Sequence, residues 1–157
     1  MRNEQQIMCE DSWWTQLYPP YSPSDDDVLV YKKYIFGTNI LLLGSTKLLL
    51  PLATAALDII PKYNDSKIKS GDWLTFEGNV DVVLADGALC LGDNLKLGND
   101  IINHYRSRSK RIIARCFNRK LDKHRWANSF PNANDFNVLP RYVEQRIDYN
   151  FYIWDFK

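Results

Sequence analysis

Cysteine is scarce in this chain and builds no framework: Cys9, Cys90 and Cys116 are the only three in 157 residues. Three scattered thiols exclude a disulfide-stapled fold, and none stands at metal-ligand spacing from either histidine, His104 or His124. Such usage fits a reducing compartment, the cytoplasm. Glycine is sparse too, and no Gly-x-Gly-x-x-Gly occurs. In Gly44-Ser45-Thr46-Lys47 the lysine follows the hydroxyl residues, whereas a phosphate loop needs it before them. No apolar signal-peptide core follows Arg2-Asn3-Glu4-Gln5, so secretion is not expected. Neither sign of charge dominates: 20 Lys+Arg meet 19 Asp+Glu, and a net +1 supplies no global field toward nucleic acid. The one long apolar tract, Ile40 to Ile60, holds Lys47, Pro51 and Asp58. These are costly or awkward in lipid, and the tract reads as two buried strands around a short helix rather than a membrane span.

What is present is a core. With 45% hydrophobic residues and no low-complexity tract, the chain reads as a single domain over 1–157. Residues 1–21 are polar and then aromatic, with Trp13, Trp14, Tyr18 and Tyr21 around Pro19-Pro20. They form either a clasp packed on the body or a lid over a bound molecule. Ser24 followed by Asp25-Asp26-Asp27 predicts a helix start, the serine capping free N–H groups and the acids facing the positive end of the dipole. Val28, Tyr31 and Ile35 fall on one face of that helix, which ends near Gly37.

Ile40 to Leu43 predicts a strand buried on both faces, followed by the Gly44-Ser45-Thr46 turn and a short helical stretch, Leu48 to Ala53. Thr54 to Ile60 predicts a second strand. Ile68 to Ser70 is β-like, Asp81 to Leu84 reads as another strand, and Arg111 to Phe117 as the fifth. Between the last two, Asn99-Asp100 can start a helix carrying Ile101, Ile102 and Tyr105. Residues 22–117 thus form the core, and 118–157 an irregular extension in which Tyr142 to Phe156 is open to either helix or strand. Arg106 to Arg125 holds nine Lys/Arg against Asp122 alone. That is a solvated basic face, or else a surface toward an anionic substrate or RNA.

Gly44, Asp58, Asp72 and Asp86 lie fourteen residues apart, each at or just past the end of an apolar or β-like run. The intervening segments differ in kind, so the spacing is no repeat; the order is what counts. In a parallel α/β sheet, ligands sit just beyond the carboxyl ends of the strands. One small-residue turn and three carboxylates there suit a polyhydroxylated, nitrogen-rich cofactor. An acid shortly after a glycine turn can accept from both ribose hydroxyls.

With Ile-Leu-Leu-Leu-Gly44, Leu-Asp58, Gly-Asp72-Trp-Leu, Asp81-Val-Val-Leu-Ala-Asp86-Gly and Ile-Ile-Ala-Arg115-Cys-Phe in this order, the chain resembles class I S-adenosylmethionine-dependent methyltransferases of the small-molecule type. The likeness runs from about Trp13 to Phe117 and includes Pro23-Ser24. It implies a Rossmann-like, mostly parallel α/β sheet with S-adenosylmethionine as cofactor. Gly44, Ser45 and Thr46 would pass beneath its methionine part, Asp58 would bind the ribose, and Ile59 and Ile60 would lie against the adenine. Asp72 and Trp73 would hold the adenine edge and face. Asp86, Gly87 and Ala88 would lie near the amino group and sulfonium, with Tyr18 and Tyr21 closing over the site.

The chain departs from that family in its single loop glycine and in its length. About five strands are expected before Lys157, against seven in the complete fold, which would leave an open edge for self-association or a partner subunit to cover. The function implied is direct methyl transfer to a small molecule. A non-catalytic partner subunit, or a lyase or hydrolase using the same cofactor, is the alternative, and RNA methylation a lesser branch. His104 and His124 are the candidate bases, and no metal is implied.

Overall fold

The computed structural model describes residues 20–121 and 127–156. Helix α1 (Asp25–Tyr34) begins where the sequence predicts, with a complete capping box: Ser24 Oγ accepts from the Asp27 N–H, and the Asp27 carboxylate accepts from the Ser24 N–H. Strand β1 (Ile40–Leu43) is buried throughout, as a four-residue apolar run requires. It pairs in parallel with β2 (Ala55–Asp58) on one side and β4 (Val80–Asp86) on the other. Strand β3 (Ile68–Ser70) adds to β2, and β5 (Ser109–Phe117) to β4, again in parallel. Helix α2 (Lys96–Tyr105) makes the β4-to-β5 crossover and buries Ile101, Ile102 and Tyr105.

The sheet has the mostly parallel α/β character expected, but its strand number corrects the sequence reading. Among the described residues it contains seven strands, not about five: β6 (Arg141–Gln145) and β7 (Tyr149–Asp155) join the others in the order β3-β2-β1-β4-β5-β7-β6. The extra two come from the C-terminal stretch and form an antiparallel pair. Strand β7 inserts between β5 and β6, antiparallel to β5 over the seven pairs from Arg111↔Asp155 to Phe117↔Tyr149. Tyr149 to Trp154 is buried at every residue, so no in–out alternation marks it as strand. A register shift between Tyr142 and Glu144 interrupts β6 as well. The unpaired edge that motivated a covering partner is therefore filled by this chain's own strands.

The links on the first half of the sheet are minimal. Between β1 and β2 the expected short helix is a single 3-10 turn, Leu50–Leu52, with Pro51 inside it. Another, Trp73–Thr75, stands between β3 and β4. A third, Ala88–Cys90, follows β4 and is packed by α2. Gly98 makes that packing possible, because a Cβ there would lie 2.6 Å from the Leu89 carbonyl oxygen.

Candidate functional site

Beyond the carboxyl ends of β1, β2 and β4 lies a pocket, and its floor follows from the turn at Gly44. The Gly44 N–H donates to the Leu57 carbonyl at 2.8 Å with φ at +105°, a conformation glycine adopts readily. The Trp73 indole Nε1–H donates to the same carbonyl, also at 2.8 Å. Trp73 is thereby pinned against the turn, its ring 4.0 Å from where a Gly44 Cβ would stand. Tyr105 of α2 donates to the Trp73 carbonyl at 2.5 Å, and burial raises that phenol's pKa far above its ordinary range.

Asp58 ends β2 and is 3% exposed. Its Oδ2 accepts from Ser45 Oγ at 2.5 Å and its Oδ1 from the Ile60 N–H at 3.1 Å. A carboxylate offers about four acceptor positions. Asp58 therefore keeps capacity for further donors from the pocket. Asp86, at the end of β4, is differently committed. Its Oδ1 accepts from Tyr31 at 2.8 Å and from Arg115 Nε at 2.6 Å, and its Oδ2 from Arg115 Nη2 at 3.0 Å. Burial first, and then Asp86, push the Tyr31 hydroxyl well above its ordinary pKa. Burial alone would lower the Arg115 pKa, but Asp86 outweighs it and keeps the guanidinium charged.

Of the residues singled out in the sequence, Tyr21, Gly44, Ser45, Thr46, Asp58, Trp73, Asp86 and Ala88 line this pocket together. Ile59, Ile60, Asp72 and Gly87 are not among its lining residues. Asp72 instead caps the turn at Trp73–Thr75, accepting from the Leu74 N–H at 2.8 Å. Gly87 supplies the left-handed bend, φ +76°, that lets Ala88 reach the wall. Tyr18 lies outside the described residues, as do His124 and the remaining aromatics of the first 19 positions. His104 is on α2 with Nε2 2.7 Å from the Phe76 carbonyl and does not line the pocket.

Sequence reasoning missed Ser22, Leu43, Lys47, Lys62 and Tyr63, which complete the lining. The chain turns at Pro61, just after β2. That turn brings the Tyr63 ring beneath Lys47, 5.8 Å from the ammonium.

Four of the described cations in the basic run are held in ion pairs, while Arg106 is exposed. Arg108 meets Glu77 at 3.0 Å, Lys110 meets Asp81 at 3.3 Å, Arg111 meets Asp155 at 2.6 Å and Arg119 meets Asp148 at 2.6 Å. Lys120 donates to Asn128, and Arg115 is buried, while Lys123 and Arg125 lie outside the described residues. The described part is thus no continuous field of unpaired charge for a phosphate backbone. Among the described residues there is no group of three or more His, Cys, Asp or Glu that could hold a metal. No described helix is long and apolar enough to cross a membrane.

An antiparallel β7 set between β5 and β6 separates this sheet from the all-parallel 3-2-1-4-5-6 order of dinucleotide-binding folds. The N-methyltransferase NodS of Bradyrhizobium japonicum WM9, solved with S-adenosyl-L-homocysteine, superposes with a TM-score of 0.62 at 13% identity, covering 98% of both chains. The fold is that of class I S-adenosylmethionine-dependent methyltransferases. Magnesium protoporphyrin IX methyltransferase of Synechocystis PCC 6803, solved with bound S-adenosylmethionine, shares this methyltransferase fold at TM-score 0.56 and 14% identity, over 85% of this chain and 77% of that one. A Rhodobacter sphaeroides protein described as a Zn-dependent alcohol dehydrogenase matches at TM-score 0.61 and 16% identity, but the present chain spans only 59% of it. No protein-family model and no curated protein matches the sequence.

Proposed function

We propose that this chain binds S-adenosylmethionine in the pocket beyond β1, β2 and β4 and transfers its methyl group to a small molecule. The observation that carries the reading is Asp58: a buried strand-end carboxylate with unused acceptor positions, on the strand beside a glycine turn whose missing Cβ leaves the floor open. Two of its acceptor positions suit the vicinal hydroxyls of a ribose. The Trp73 ring, held by Leu57 and Tyr105, gives apolar surface for the adenine. The backbone of Gly44 to Thr46 would run beneath the methionine part, and Ala88 and Asp86 would face the reacting end.

When bound, the cofactor supplies an electrophilic methyl group on a sulfonium. The protein's own contribution is orientation, since holding two reactants in line removes much of the barrier. Asp86 fits a wall role better than that of a base, because three donors already occupy its carboxylate. An acceptor that is nucleophilic without deprotonation fits such a site. RNA is disfavoured as the acceptor, since four cations of the basic run are held in ion pairs and Arg115 is buried. The free, buried Cys90 and Cys116 support a cytoplasmic setting.

Titration calorimetry with S-adenosylhomocysteine on wild type and Asp58→Ala tests the assignment. Loss of the ribose contacts should weaken binding by about 1–3 kcal/mol, and an unchanged affinity removes Asp58 from the ribose role. Incubation with S-adenosylmethionine and no acceptor separates transfer from cleavage: methylthioadenosine or homoserine products would point to a lyase or hydrolase.

A further inference from the structure

Arg115 was one charge among nine in a basic run, yet it is 1% exposed and stands at the centre of a cluster that touches the pocket twice. Its Nε and Nη2 clamp both oxygens of Asp86, which lines the pocket from the end of β4. Its Nη1 donates to the Pro20 carbonyl at 2.8 Å, immediately before Tyr21 and Ser22, which also line the pocket. The same Nη1 lies 4.0 Å from Asp27 Oδ2 at the start of α1.

Asp27 is fully buried, and its Oδ2 accepts from Ser24 N at 2.8 Å and from Tyr149 at 2.7 Å. Its Oδ1 has no hydrogen-bond donor. Two carboxylates thus share one guanidinium, and the positive end of the α1 dipole helps hold the second. The Tyr149 and Phe117 rings, 4.5 and 5.2 Å from the Arg115 carbon, fix the plane of the fork.

We propose that Arg115 is a positioning residue for the pocket, holding the Asp86 wall and the Pro20–Ser22 segment in one fixed relation. The inference deepens the ligand reading given above and rests on it for its affinity arm alone. A lysine cannot replace the fork, because a single ammonium has no planar pair of N–H groups for Asp86 with a third direction for Pro20.

The experiment is Arg115→Lys, read by hydrogen exchange at the amides of Tyr21, Ser22 and Ser24 and by S-adenosylhomocysteine affinity, alone and combined with Tyr21→Ala. The expected result is exchange at those amides at least ten-fold faster, with the β1 and β4 amides unchanged. The affinity loss from Tyr21→Ala should largely vanish in the Arg115→Lys background, since both changes disable the same element. Unchanged exchange at 21–24, or losses that simply multiply, would overturn the proposal. A merely structural role would lower the melting temperature without either signature. Should Arg115→Lys fail to fold, Asp27→Asn keeps the cap and the Tyr149 bond, removes the charge facing Arg115, and is read the same way. If wild type binds no S-adenosylhomocysteine, the cofactor reading fails while the exchange arm still decides the role of Arg115.

Discussion

Replacing Gly98 by alanine sets two effects of opposite sign against each other, and the structure decides between them. In an isolated helix the change would favour folding by about 1 kcal/mol, the propensity difference between the two residues. In α2, however, the new methyl would stand 2.6 Å from the Leu89 carbonyl oxygen, 3.4 Å from its carbon and 3.5 Å from its Cα. These are backbone atoms of the Ala88–Cys90 turn and cannot rotate aside as a side-chain tip would. The helix and the turn must separate instead, and overpacking of this kind costs about 1–3 kcal/mol. Relieving a contact so close to backbone belongs at the upper end, leaving a net loss of about 1–2 kcal/mol after the propensity gain. At roughly 2–4 °C per kcal/mol for a domain of this size, thermal unfolding by circular dichroism should fall by about 2–8 °C. Because Ala88 of the displaced turn lines the pocket, S-adenosylhomocysteine affinity should fall with it. A melting temperature equal to or above wild type would refute the packing argument.

Ser24→Ala removes half of the capping box that starts α1 and should cost about 1 kcal/mol, measured by urea unfolding. Trp73→Phe leaves the Leu57 carbonyl one donor short and loses ring area beside the pocket, so a loss of about 1–3 kcal/mol in stability is expected, with weaker binding of any adenine-containing ligand. Alkaline unfolding carries a signature of its own. Burial, and next the Asp27 carboxylate, push the Tyr149 hydroxyl from 10.0 up to about 12. A pKa raised in the folded state means its stabilisation is complete below pH 10 and drains away as pH rises toward 12. Tyr149→Phe should flatten the stability profile in that window, as followed by chemical denaturation at successive pH values; an identical slope would remove Tyr149 from the account.

Local signals carried the first two thirds of the fold. Ser24 marked a helix start because its cap is a contact between residues three apart, and Ile40–Leu43 marked a strand because both faces are covered. Where structure depends on distant partners, local signals pointed elsewhere. Helix α2 was expected to start at Asn99-Asp100 but begins at Lys96, after Asn94 and Leu95 adopt left-handed φ values of 61° and 56°. The Leu95 N–H is satisfied by Ser129 Oγ, 34 residues away, which no local cap pattern could reveal. Strand β7 was hidden by burial on both faces. Of the expected rim carboxylates, Asp58 and Asp86 line the pocket from their strand-end positions, whereas Asp72, at the same spacing, caps a local turn and Trp73 lines the wall. Arg115 was hidden among surface cations because sequence shows its charge and not the side of β5 it occupies.

The proposed function depends on S-adenosylmethionine occupying the pocket beyond β1, β2 and β4. Titration calorimetry of the wild-type chain with S-adenosylmethionine and S-adenosylhomocysteine tests it most directly. Saturable one-to-one binding in the micromolar range, about −8 kcal/mol, is the predicted result, with Asp58→Ala weakening both ligands together. Absence of binding to either ligand by the folded protein would contradict it.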